Sequence, residues 1–125
     1  MTDQPPLHTL AYLATPYTGY GAGINAAFED AAALAAQLMV AGVNVYSPIA
    51  HTHPLAIHGK LDPLDHSIWI PFDEVMMAKA DTLIVAHMDG WEFSIGIAHE
   101  VGVFEKAGKP IFDLWPETMK MARRT

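Results

Sequence analysis

Thr82-Leu83-Ile84-Val85-Ala86, followed by Asp89-Gly90-Trp91-Glu92-Phe93-Ser94-Ile95-Gly96-Ile97-Ala98-His99-Glu100, decides how this chain is read. An apolar run gives way to a glycine-containing turn and then to a helical pattern, which predicts a strand–turn–helix unit. Glu100 falls in the first two turns of that helix, where the partial positive charge of the N-terminus favours an ionised carboxylate. A positioned, ionised carboxylate beside a cleft is what an enzyme uses as a nucleophile on a sugar carbon. Ile97, Val101 and Phe104 mark one apolar stripe, and Glu100 lies between Ile97 and Phe104 on that side. A carboxylate there is costly unless it is paired or used. The expectation is a small-molecule enzyme with Glu100 at its centre.

Working outward, residues 9–14 read as a buried strand bounded by Thr15-Pro16, and residues 17–23 as a flexible, glycine-rich loop. Residues 24–41 carry apolar positions at spacings of three and four and predict a helix stopped by Gly42. A second strand is expected at 44–48. Residues 48–65, rich in histidine, proline and glycine, read as a long active-site loop. A helix follows over 66–79, broken near Pro71, then the strand at 82–87, a helix at 94–107 ended by Gly108, a strand at 109–114 and a short closing helix. Alternating strands and helices predict a single α/β domain over 1–125, with a parallel sheet of four to five strands covered on both faces. Ligands of such sheets sit at the carboxyl ends of the strands, where strand order reverses.

Composition narrows the function. The 125 residues suffice for one domain, and 51% hydrophobic against 17% charged residues fits a real core. With a net charge of −7 and only seven scattered Lys and Arg, an electrostatic grip on nucleic acid or an anionic membrane is not expected. The absence of cysteine excludes disulfides and thiolate zinc sites. Met1 to Pro6 lack the regions of a signal peptide, residues 1–7 read as a loose end, and no run is long enough to span a membrane, so a cytoplasmic protein is expected. The high apolar content of so small a domain predicts association, as a homodimer or homotetramer.

Several features together resemble a known family. They are the strand leading into Thr15-Pro16-Tyr17, the loop Ser47-Pro48-Ile49-Ala50-His51, Ala80-Asp81 before the third strand, and Ser94-x-Gly96-x-x-x-Glu100. Over residues 9–114 the pattern is similar to the nucleoside 2-deoxyribosyltransferase-like superfamily. This group holds nucleoside deoxyribosyltransferases, nucleotide N-glycoside hydrolases and small, often phage-borne proteins of undefined function, the last being the closest in pattern. The resemblance implies a three-layer, flavodoxin-like strand order and oligomers whose sites are completed by neighbours. It implies Glu100 as nucleophile on C1′ of a ribose or deoxyribose, and Ser94 as a contact to the sugar or its 5′ group. Thr15 and Gly96 belong to the same motifs, and Asp73 best matches an acidic residue that assists with the base. One departure is that the first loop carries no basic residue. A 5′-phosphate would have to rest on backbone N–H groups near Gly23.

Other candidates keep two readings. Asp73 is either a substrate-orienting acid or a helix first-turn acid stabilised by the dipole; Asp81 reads as a turn residue. His51, His53, His58 and His66 either recognise a base and move protons, with His51 as the best placed, or pack the loop. A metal held by these histidines would make the chain a metal-dependent hydrolase, but their spacing matches no metal motif, and neither metal nor cofactor is expected. Trp69, Trp91 and Phe93 either stack a nucleobase or anchor a core or dimer interface. Tyr17 and Tyr20 offer phenols to a sugar or base. Gly19, Gly21 and Gly23 alternate rather than matching G-x-G-x-x-G, which disfavours a dinucleotide. The expected activity is cleavage or exchange of the N-glycosidic bond of a nucleoside or nucleoside 5′-monophosphate. The rival is a non-catalytic nucleotide-binding or sensor module.

Overall fold

The computed structural model describes residues 3–125, in one α/β unit. In chain order the elements are β1 (Ala11–Ala14), α1 (Ile24–Val40), β2 (Val45–Tyr46), α2 (Pro48–Gly59), α3 (His66–Lys79), β3 (Thr82–Ala86), α4 (Ile95–Lys106), β4 (Ile111–Trp115) and β5 (Lys120–Arg123). A 3-10 turn, Trp91–Phe93, leads into α4. The sheet order is β2-β1-β3-β4-β5, parallel through β4 with β5 antiparallel at the edge. This is the three-layer α/β arrangement expected from the alternation of strands and helices.

Every residue of β1 and β3 is buried, so side chains of both parities are covered. Ala11, Leu13, Ile84, Ala86, Phe112 and Leu114 pack with Leu34 and Leu38 of α1 on one face. Tyr12, Ala14, Leu83, Val85 and Ile111 meet Met77 of α3 with Ile97 and Phe104 of α4 on the other. β1 lies between β2 and β3, so the connections leaving β1 and β3 depart to opposite faces and open a crevice at their carboxyl ends. The two loops touch there. Gly90 adopts φ 79°, and a Cβ on it would come within 3.2 Å of the Gly19 carbonyl oxygen.

Four expectations need correction. Residues 48–59 are helix α2 rather than loop, because Ser47 caps it by accepting from the Ala50 N–H and Pro48 supplies a fixed first-turn φ. Helix α3 runs unbroken through Pro71, with Asp65 as N-cap. The chain closes with strand β5, not a helix, because the free edge of β4 offers unpaired backbone groups. The N-terminus is tied down from Asp3, whose N–H donates to the Met121 carbonyl at 3.0 Å; Met1 and Thr2, which belong to the expected loose end, lie outside the described residues. Among the described residues no helix is long and apolar enough to cross a membrane.

Candidate active site

On the α3/α4 face of the sheet, four elements bring polar groups together inside otherwise apolar packing. β1 contributes Tyr12, which has no exposed surface, β2 contributes Tyr46, α3 contributes Asp73 and α4 contributes Glu100. The Tyr12 ring packs against Tyr46 at 5.8 Å and Phe104 at 6.0 Å between centroids. Its hydroxyl lies against the Glu100 carboxyl, where it favours the ionised form, without reaching the geometry of a formed hydrogen bond.

Glu100 lies within this packing and keeps some exposed surface. Burial pushes its carboxyl up to about 8, Tyr12 opposes that rise, and the neighbouring Asp73 charge adds to it. The sequence reading of a dipole-stabilised carboxylate is therefore corrected. Glu100 is the sixth residue of α4, past the turn in which the dipole acts, and desolvation wins. Asp73 is raised to about 6 by burial. Both phenols are pushed far up, by burial first, then by Glu100 and Asp73 for Tyr12 and by Asp73 for Tyr46.

Several of these atoms are buried with nothing to bond. Among the described residues Tyr12 Oη, Tyr46 Oη and Asp73 Oδ1 lack a partner here, as do Thr15 Oγ1 and Thr82 Oγ1 elsewhere. Buried polar atoms normally find one, so such a concentration around a carboxyl pair marks a place that a polar ligand completes.

The other expected residues divide. His51, exposed on α2, sits at the rim with its ring 6.0 Å from Tyr46 and 5.4 Å from Phe72. Thr15 is buried at the end of β1. Ser94 caps α4, its Oγ accepting from the Ile97 N–H at 3.2 Å, and Gly96 lies exposed in the first turn. Tyr17 turns to His53 instead, sharing a 2.6 Å hydrogen bond with Nδ1; His53 stacks on Phe28, and burial lowers its pKa. His51 and His53 thus point to different surroundings, and among the described residues no group of three His, Asp or Glu is arranged to hold a metal.

Trp91 belongs to another cluster. It stacks on His87 at 3.8 Å, and His87 Nε2 meets Asp113 Oδ1 at 2.8 Å. Arg124 holds both oxygens of Asp113, and although burial works in the other direction, Arg124 and His87 together keep that carboxyl below its ordinary value. One face of Trp91 is therefore occupied. Trp69 spends its indole N–H on the Asp62 carbonyl, and Phe93 is 88% exposed.

Sequence reasoning missed Tyr12 and Tyr46, taken only as strand residues. The available signal was a tyrosine inside a wholly buried strand, since a phenol there must either find a partner or await one.

Two cavities flank the sheet. A groove of about 440 Å³ between α3 and α4 is lined by Glu74, Met77, Val103, Phe104 and Lys109. On the α1 side, about 350 Å³ is lined by Tyr20, Asp30, His87, Asp89 and Glu117.

Fold and site together define an α/β protein with a crevice at its strand ends and a carboxyl pair that shares one sheet face with two tyrosines. The chain belongs to the DUF1937 family, a domain of unknown function, which matches residues 9–116. No curated protein matches it.

Proposed function

We propose that this protein cleaves, or exchanges, the N-glycosidic bond of a nucleoside or nucleoside 5′-monophosphate. One observation carries the reading: Glu100 and Asp73 lie near enough to feel each other's charge, next to the buried Tyr12 and Tyr46 hydroxyls that have no partner among the described residues. Sugar hydroxyls, each a donor and an acceptor, are suited to complete such a set.

In the proposed reaction the Glu100 carboxylate attacks C1′ through an oxocarbenium-like transition state. The C1′–N bond breaks, its electron pair passes to the base nitrogen, and the Asp73 carboxyl donates a proton to the departing base. Water then attacks C1′ of the glycosyl ester, Asp73 takes its proton, and Glu100 leaves as a carboxylate. A second base in place of water completes exchange. Ser94 and Thr15 at the crevice support sugar contacts, and His51 with Phe72 supports the base at the rim. On this reading the protein is a cytoplasmic homodimer or homotetramer acting on a small molecule without cofactor, metal or nucleic acid.

The raised Glu100 carboxyl favours a second reading. A carboxyl that stays protonated at neutral pH donates a hydrogen bond to a ribose hydroxyl, which suits a non-catalytic nucleotide-binding or sensor module. Incubation with ribo- and deoxyribonucleosides and their 5′-monophosphates, followed by chromatography for free base, separates the two. Base release that falls at least ~100-fold in Glu100→Gln supports the enzyme. Thermal stabilisation by one compound with no release supports the binder.

A further inference from the structure

A nucleophilic carboxylate must be ionised when it attacks, and among the described residues no cationic side chain faces Glu100, which leaves the Tyr12 hydroxyl to favour that form. Each of the seven Lys and Arg side chains lies elsewhere. Lys60 is exposed at the C-cap of α2. Lys79 and Lys106 end α3 and α4. The Lys109 ammonium donates to the carbonyls of Met77, Ala78 and Ala80, at 3.1, 2.9 and 2.8 Å. Lys120 and Arg123 are exposed on β5, at the opposite edge of the sheet from β1 and β2. Arg124 is bound to Asp113. The groups facing Glu100 are Tyr12 and Asp73, with Tyr46 beside Asp73 and His51 at the rim. The hydroxyl of Tyr12, a wholly buried residue, is aimed at Glu100 without a partner, and Asp73 Oδ1 is equally unmatched.

From this arrangement we infer that the ligand itself brings the positive charge: the site takes an N-glycoside with a cationic heterocycle, such as a pyridinium or N-alkylated purine, on a sugar without a 5′-phosphate. The inference rests on the glycosidic reading above and narrows its substrate class. A cation between two partly buried carboxylates is attracted by both, more strongly than in bulk water. Its arrival ionises Glu100 and thereby arms the nucleophile. The chemistry balances without an acid. When Glu100 attacks C1′, the electron pair of the breaking C1′–N bond returns to the ring nitrogen, and the heterocycle leaves neutral. A phosphate dianion has the opposite effect, adding negative charge to a site with no cation to meet it.

The test uses carbocyclic nicotinamide riboside, in which CH2 replaces the ring oxygen so that turnover stops, together with its neutral 1,4-dihydro form and its 5′-phosphate. Calorimetry at pH 7 in two buffers of different ionisation heat reads affinity and proton release together. The cationic compound is expected to bind at least ~10-fold tighter than the other two. It is also expected to release roughly one proton in the parent protein and none in Glu100→Gln. Equal or tighter binding of the neutral or phosphorylated compound overturns the inference, as does no binding of any of the three. Authentic nicotinamide riboside, inosine and 7-methylinosine, assayed in parallel for free base, keep the two claims apart. Release from inosine alone sinks the cationic preference and leaves glycosidic cleavage standing. Selective binding of the cation with no release from any compound sinks the cleavage and leaves the charge preference.

Discussion

Glu100 is a residue that the fold would rather keep neutral. Its carboxyl is raised from an ordinary 4.5 to about 8, so folding binds its proton more tightly than the unfolded chain does. The corresponding stability is fully present below pH 4.5 and is lost as pH rises through 8. Every tenfold gain in proton affinity is worth about 1.4 kcal/mol, so Glu100→Gln, which mimics the protonated form, should melt several degrees above the parent at pH 9. The two proteins should coincide near pH 4.5, which paired melting curves would check. Equal curves at pH 9 would mean that the carboxylate is solvated after all. Tyr12 adds a second expectation. Its hydroxyl favours ionised Glu100, so Tyr12→Phe should move the ascending limb of the pH–activity profile to higher pH while leaving the fold intact. A limb unmoved in that variant would remove Tyr12 from the site. The sequence made Glu100 legible through its place on an apolar stripe. The two tyrosines were hidden, because residues of separate strands converge only once β1 and β2 pair.

At the scale of elements, local preference and tertiary context disagree in instructive places. Residues 48–59 contain Pro54 and three histidines, a composition that reads as loop, yet they form α2. Pro54 removes one helical hydrogen bond. The Ser47 cap and the packing of His53 between Phe28 and Tyr17 hold the helix regardless. Residues 117–124 show the converse. They are good helix formers, yet the turn before Met119, with φ 58° there, folds them back onto β4. Arg124 then clamps Asp113 through two 2.8 Å bonds. No periodicity within the segment announces a pairing whose partner lies in another strand. Arg124→Ala should cost about 1–2 kcal/mol at pH 7. Asp113 is held below its ordinary 3.8, so the clamp contributes above that value and fades as pH falls through the lower folded one. Urea titrations of parent and variant should therefore differ at pH 7 and converge as the pH falls well below 3.8. A difference that persists in acid would assign the loss to packing of the guanidinium stem instead.

The whole molecule has a surface its own fold leaves unfinished. Core formation accounts for both faces of the sheet, but Leu55, Ile57, Leu61, Leu64, Ile68, Phe72 and Val75 on and between α2 and α3 remain exposed. Beyond them Phe93 and Ile95, 88% and 87% exposed, flank the Ser94 cap at the mouth of the crevice. Isolated apolar side chains on a surface need no explanation, but large ones gathered along two neighbouring helices and the entrance to the site predict burial against another surface. A net charge of −7 opposes self-association at long range and is screened by salt. The protein should therefore sediment as a dimer or larger species at physiological ionic strength. Phe93→Glu combined with Ile95→Glu adds two negative charges to that surface and should leave a 13.6 kDa monomer with the secondary structure of the parent. If the parent sediments as a monomer across micromolar concentrations, the apolar surface serves another occupant. If the double variant still associates, the contact lies on α2 and α3 away from the crevice mouth. Association through the crevice mouth has one further consequence. The melting midpoint of the parent should rise with protein concentration, because the partner binds only the folded chain, and that dependence should vanish in the double variant.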